Sequence, residues 1–161
     1  MLPLEGIRVL DFTQMVAGAL STMLLGDLGA DVIKIEPPEG DAMRRTGNTA
    51  VEGLVESEAR NKRSIILDLK SAAGKQAALD LAAQADIVVE NFRPGTMDKL
   101  GLGYDELSKR NPRLVFCAVA GFRPDSRYAK RPALDQVIQR NRVRCVPAFL
   151  SSMFSHLRLL P

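Results

Sequence analysis

Tryptophan is absent from this 161-residue chain, histidine occurs once, cysteine twice, and aromatic residues make up only 5%. Each shortage excludes something. The lone histidine, His156, stands near the end of the chain and reads as incidental, which leaves little for histidine-assisted nucleophilic catalysis, and no cluster of His, Cys and carboxylate has ligand spacing, so no metal site is expected. No Gly-x-Ser-x-Gly elbow is present either. Cys117 falls in an apolar run and Cys145 in a basic segment. Two unpatterned cysteines make no disulfide framework, and Cys117 is expected in the core. No run approaches the roughly 18 apolar residues that a membrane span needs. The first residues, with Glu5 and Arg8, lack the basic and apolar regions of a signal peptide, so a cytoplasmic location is expected.

Acidic residues are missing from one stretch. From Arg140 onward there are four arginines (Arg140, Arg142, Arg144, Arg158) and no acid, whereas residues 1–139 hold 18 basic against 19 acidic residues. The net charge of +3 therefore belongs to the tail. A distributed basic face interleaved with aromatics, the usual footprint of phosphate-backbone binding, is absent, and no nucleic-acid partner is expected.

What is present alternates between strand and helix patterns. Residues 6–12 read as a first strand ending near Asp11, and residues 16–28 as a helix with Leu20, Leu24 and Leu28 on one face, closed by Gly29. Residues 31–36 form a second strand, stopped by Pro37 and Pro38. Residues 37–62 show no sustained period and form a long excursion, a length that in compact domains signals function or motion. Residues 63–69 are a further strand, Ser71 caps a helix to about Gln84, and residues 86–90 are the next strand. Residues 104–110 form a short helix ended by Asn111-Pro112, and residues 114–119 a buried strand. This rhythm predicts an α/β Rossmann-like, doubly wound and mostly parallel sheet. Residues 140–161 break it, which suggests a 1–139 domain followed by a basic tail.

In such sheets ligands lie beyond the carboxyl ends of the strands, which places Glu90, Asn91 and Arg93 as recognition groups or as an ordinary strand-to-turn junction. The glycine fingerprint of a dinucleotide site is missing after the first strand, although the turn at residues 15–18 can admit a flat ring such as adenine. Lys62 with Arg63, and Arg44 with Arg45, are paired cations able to hold phosphate, or a solvated edge. Asp11, Glu36, Asp68, Glu90 and Asp135 each stand near a strand end or turn, where a carboxylate either acts or merely caps.

Taken together, the segments at residues 4–13 (LEGIRVLDFT), 29–36 (GADVIKIE), 61–70 (NKRSIILDLK), 89–95 (VENFRPG), 111–114 (NPRL) and 121–135 resemble, in order, the family III CoA-transferases, with the α-methylacyl-CoA racemases as a sister branch. The resemblance implies CoA or acyl-CoA as substrate. It places Val16 and Ala17 at the adenine side, Leu67 to Lys70 along the nucleotide, and Asn91, Phe92 and Arg93 beside the pantetheine and thioester. Lys99 stands where the family often has a cation for CoA phosphate. Pro37 replaces an arginine of some members, with Lys62 and Arg63 as substitutes.

Family transferases use an aspartate that attacks the thioester, forming an anhydride and then an enzyme-bound thioester; racemases use a histidine where this chain has Leu134. The nucleophilic aspartate is expected some tens of residues after Asp135, beyond the point where the pattern is lost, so Asp135 is read as a supporting residue and no catalytic residue is assigned. The expectation is thus a truncated CoA-transferase, inactive alone, prone to associate, and without the family's interlocked homodimer. The alternative is a non-catalytic CoA-binding module or a partner-dependent subunit; a membrane-surface role for the tail is a distant third.

Overall fold

The computed structural model of the chain describes residues 1–44, 53, 56–123, 125–129 and 131. Two compact units divide it, Met1–Ala120 and Gly121–Pro161. The first holds five strands: β1 (Arg8–Asp11), β2 (Asp31–Glu36), β3 (Lys62–Ile66), β4 (Ile87–Glu90) and β5 (Val115–Ala118). All pair in parallel in the order β3-β2-β1-β4-β5. Parallel pairing requires crossovers. These are α1 (Met15–Asp27) between β1 and β2, α2 (Ala72–Ala83) between β3 and β4, and the short α3 (Thr96–Leu100) and α4 (Tyr104–Arg110) between β4 and β5. The doubly wound α/β architecture expected from the sequence is present.

Because strand side chains alternate, each buried strand serves two cores. Leu10, Phe12, Ile35 and Val88 pack with Ala78, Leu79 and Ala82 of α2 and with Met97, Leu102 and Leu107 from the segment holding α3 and α4. Val9, Val32 and Val89 point the other way, with Ala30, Leu4 and Leu25. The sheet starts from β1 and is laid down first toward β3, then toward β5. The neighbours β1 and β4 therefore flank the point where strand order reverses, the usual place for a ligand crevice.

Helix ends follow the sequence signals. The Ser71 hydroxyl accepts from the Gly74 N–H at 3.0 Å, and Gly29, with φ at +102°, closes α1. The orientation of α1 does not follow the leucine stripe. Leu20, Leu24 and Leu28 face outward at 36%, 51% and 45% exposure, while Gly18, Ala19, Thr22, Met23 and Gly26 are buried. Small residues win this face because the helix lies close: a Cβ on Gly26 would stand 3.0 Å from the Asn61 carbonyl oxygen.

Strand β5 also departs from expectation. Among the described residues it pairs only with β4, so it forms a sheet edge there; Val115 is 58% exposed and Cys117 lies on the surface, not in the core. Among the described residues no helix is long and apolar enough to cross a membrane. In the second unit, Phe122 and Tyr128 pack at 5.7 Å, and the Arg127 and Arg131 guanidinium groups stand 4.6 and 4.8 Å from the Tyr128 ring centre. Leu134, Asp135, Cys145, His156 and the whole segment 140–161 lie outside the described residues.

Candidate functional site

Beyond the carboxyl ends of β1, β2, β3 and β4, on the α2 side of the sheet, lies a crevice of about 350 Å³. Its walls are apolar: Phe12 continues β1, Ile35 is the next-to-last residue of β2, Leu67 and Leu69 follow β3, Phe92 follows β4, and Leu100 closes α3. Gln14, Glu39, Asp68 and Lys70 add polar groups, and Pro37 and Pro38 complete the wall after β2. An apolar slot of this size with a few convergent polar groups is what a medium-sized organic ligand needs. Lys70 is exposed and supplies positive charge there.

The turn carrying Lys70 is built locally. The Asp68 carboxylate accepts from the Lys70 N–H at 3.0 Å, and the Asp68 carbonyl accepts from both the Ser71 N–H and its hydroxyl. Ser71 then caps α2, so crevice wall and helix start form one hydrogen-bonded unit.

Of the residues singled out in the sequence, Leu67, Lys70 and Phe92 line this crevice together. Val16 and Ala17 occupy the first turn of α1 without lining it. Arg93 and Lys99 are exposed outside it; the Arg93 carbonyl accepts from Thr96 N–H, starting α3. Asn91 is not a wall residue. Its side-chain oxygen accepts from the Gln14 N–H at 2.7 Å and its side-chain nitrogen donates to the Gln14 carbonyl at 2.6 Å, binding the end of β4 to the turn after β1. Burial pushes the Glu90 carboxyl up from its ordinary value; the Phe92 N–H that it accepts opposes this and nearby Asp98 adds to it.

The cations proposed for phosphate are committed elsewhere. Lys62, at the amino end of β3, turns inward and donates to Asp11 Oδ2 at 3.1 Å, the Ala19 carbonyl at 2.8 Å and Thr22 Oγ1 at 2.8 Å. All three ammonium protons are used, so it is a buried structural ion and not a phosphate ligand. Arg63 grips Asp31 with contacts of 2.7 Å to each carboxylate oxygen, beside the amino end of β2 and away from the crevice. Arg44 is paired at 2.9 and 2.7 Å with Glu36. Its neighbour Arg45 lies outside the described residues.

Lys62 and Arg44, though not the separate Arg63–Asp31 pair, belong to one network on the α1 side of the sheet. Asp11 accepts from Thr13 N–H, Thr13 Oγ1 and Thr22 Oγ1 as well as Lys62. Lys34 donates to the Thr13 carbonyl at 2.8 Å and pairs with Asp41 at 3.4 Å. Burial alone would raise the Glu36 carboxyl, but the hydrogen bonds from Arg44 and Ser64 outweigh it and hold the group below its ordinary range. Glu58 goes the other way: burial raises it, only partly countered by Lys62. The charged side of the sheet thus fixes the β1–α1 turn from behind while the apolar side opens the crevice.

Sequence reasoning did not single out Phe12, Gln14, Ile35 or Leu100 as site residues, and it reached Leu69 only within the stretch Leu67 to Lys70. Their signal is positional: Phe12, Ile35 and Leu100 stand at the end of apolar patterns next to a turn, and Gln14 directly precedes α1.

Residues 4–143 match the family model described as CoA-transferase family III. A succinyl-CoA–L-malate CoA-transferase beta subunit of Chloroflexus aurantiacus is 45% identical over 140 residues, covering 84% of this chain and 35% of that protein. An acetyl-CoA:oxalate CoA-transferase of Acetobacter aceti is 42% identical over 140 residues, covering 85% and 36%. A crystal structure of Rv3272 from Mycobacterium tuberculosis superposes with a TM-score of 0.81 at 41% identity, covering 93% of this chain and 43% of that one. The chain spans about a third of the length of the curated relatives it matches.

Proposed function

We propose that this chain, which belongs to CoA-transferase family III, binds a CoA thioester in the crevice at the carboxyl edge of its sheet and serves the transfer of CoA between carboxylic acids. The observation that carries this reading is the meeting of Leu67 and Lys70, which follow β3, with Phe92, which follows β4, around one apolar slot at the strand-order switch. Apolar walls suit an adenine face or the pantetheine chain, Gln14 suits a hydrogen-bonding edge, and Lys70 suits a phosphate. Arg93 and Lys99, exposed outside the slot, are proposed as further contacts for the charged end of the ligand, with Val16 and Ala17 at its adenine side.

For the isolated chain the proposal is binding without turnover. Transfer by the family route needs a carboxylate free to attack the thioester carbonyl. Of the described carboxylates on the crevice, Asp68 accepts from the Lys70 N–H within its own turn, and Glu39 is exposed beside the prolines. The division into a 1–139 domain and a separate 140–161 tail is part of the same proposal. A partner-dependent subunit is the second reading, favoured by relatives named as alpha and beta subunits of one succinyl-CoA–L-malate CoA-transferase.

Calorimetric titration with CoA tests the binding claim, and no heat at millimolar CoA rejects it. An acyl-exchange assay on the same sample tests the rest: robust turnover by the isolated chain rejects binding without catalysis.

A further inference from the structure

The reversal of strand order between β1 and β4 is bridged by a single carboxamide. Asn91, the residue after β4, meets the backbone of Gln14, the residue before α1, with both ends of its side chain, at 2.7 and 2.6 Å. This is the pairing a neighbouring strand would make, supplied where the ladder has ended: Phe12 N–H still donates to the Val89 carbonyl at 2.8 Å, and Asn91 continues that register onto Gln14.

The neighbouring turn is held hard. Lys34 takes the Thr13 carbonyl, Asp11 takes the Thr13 N–H, and Met15 sits at a φ of 59°, a conformation that persists for a side chain larger than glycine only when its surroundings impose it. A Cβ on Gly18 would stand 2.6 Å from Thr13 and 3.0 Å from the Asn91 nitrogen, so the clasp has no slack on the helix side. The Gln14 side chain, by contrast, lines the crevice and makes no hydrogen bond among the described residues.

We infer that Gln14 is a ligand-contacting residue of the crevice and that Asn91 is its positioning residue, fixing the Gln14 backbone so that its carboxamide meets a ligand group with both a donor and an acceptor, such as an amide or a purine edge. The inference rests on the CoA-binding reading above. Among the described residues lining the crevice Gln14 is the only carboxamide, so it is the one side chain there that offers a neutral donor and a neutral acceptor together. A misplaced partner loses most of a hydrogen bond's value, because the geometry is steep in distance and angle.

The test is calorimetric titration of CoA into the whole chain and its variants. Asn91→Ala and Gln14→Ala are each expected to weaken binding by about tenfold, the scale of one lost hydrogen-bonding group. The double variant is expected to be no weaker than Gln14→Ala, since Asn91 acts through that side chain. Losses that multiply in the double variant overturn the positioning role, as does unchanged affinity in either single variant. Asn91→Asp serves if Asn91→Ala does not fold: it keeps the acceptor for the Gln14 N–H but sets a carboxylate against the Gln14 carbonyl. Its affinity relative to the unsubstituted chain should recover from pH 7 to pH 4, where an ordinary aspartate, with a value of about 3.9, gains a proton to donate, and a flat ratio counts against the proposal. Failure of the unsubstituted chain to bind CoA rejects the functional reading itself, a result distinct from binding that ignores Asn91.

Discussion

The Lys62 ammonium lies 3.1 Å from an Asp11 carboxylate oxygen, and the two side chains are 2% and 0% exposed. This pair joins the first residue of β3 to the last of β1 through the inner face of α1, since Lys62 also holds the Ala19 carbonyl and Thr22 hydroxyl. Removing one member leaves the other buried and charged. Lys62→Met is therefore expected to destabilise the chain by about 3–5 kcal/mol, read from urea unfolding. CoA affinity at low temperature, where the variant stays folded, should hold within about twofold because Lys62 does not line the crevice. A large affinity loss with intact stability would return Lys62 to the phosphate site that the sequence suggested.

Gly74 ties helix α2 to the crevice. A Cβ there would overlap the Asp68 carbonyl, which already accepts from Ser71, and backbone cannot swing aside as a side-chain tip can. In an ordinary helix, alanine would gain about 1 kcal/mol over glycine. Here Gly74→Ala should instead cost about 1–3 kcal/mol by overpacking, and it should weaken CoA binding by displacing the turn that carries Lys70. An alanine variant that melts higher than the parent would show that the Asp68 turn is free to move.

Lys70 and Phe92 test the crevice from its polar and apolar sides. Lys70→Ala should weaken CoA by roughly threefold to tenfold, with less dependence on salt than the parent shows, because an exposed charge acts through a screened field. Phe92→Ala should weaken it by about tenfold or more with the salt dependence unchanged, since it removes contact area and no charge. If dephosphorylated CoA suffers the Lys70→Ala loss in full, the lysine addresses some part of the ligand other than that phosphate.

Strands 31–36 and the helix at 104–110 were legible because their patterns are local: an apolar run stopped by prolines, and a polar-apolar helix stopped by Asn111-Pro112. The face of α1 was not legible. Leu20, Leu24 and Leu28 carry the strongest apolar signal in that helix, yet Gly18, Ala19 and Gly26 make the close contact, and small residues leave no mark in a hydropathy pattern. Cys117 was misplaced for a different reason. A strand's burial depends on whether it has neighbours on both sides, and that is a property of strand order, not of the strand's own residues. At the crevice, Leu67, Lys70 and Phe92 were legible through the family resemblance alone, whereas the strand-end rule pointed to Glu90, Asn91 and Arg93, which do not line it. The direction in which Lys62 and Asn91 point was not legible, since each is turned by partners distant in sequence.

The outward leucines have a measurable consequence. Leu20 and Leu24 lie one turn apart on α1, and Ile66 and Val115 on the two edge strands are 62% and 58% exposed. Such surfaces favour association of the isolated chain. Leu24→Lys should change folding stability by no more than about 0.5 kcal/mol while shifting sedimentation toward monomer. A parent chain already monomeric at high concentration would refute the association, and a large stability loss would mean that Leu24 is covered in solution.

Two buried glutamates should shape the pH dependence in opposite directions. Glu36 titrates below its ordinary value near 4.5 because Arg44 and Ser64 overcome the effect of burial. Below that value the unfolded chain binds more protons than the folded one, so its contribution is present above pH 4.5 and is lost as pH falls through the folded value. Glu58 titrates above 4.5 because burial outweighs Lys62. The folded state then holds the extra proton, so its contribution is full below pH 4.5 and is lost as pH rises through the folded value. Glu58→Gln removes only the second limb. Its melting temperature relative to the parent should therefore rise between pH 4.5 and pH 7, by an amount on the order of 2 °C. Glu36→Gln should do the reverse, losing most at pH 7 and least under acid, because it leaves Arg44 without its carboxylate partner. A difference for Glu58→Gln that stays constant across this range would mean that Glu58 is ionised in the fold as readily as in the open chain, and that the charged layer beneath α1 is wetter than its packing indicates.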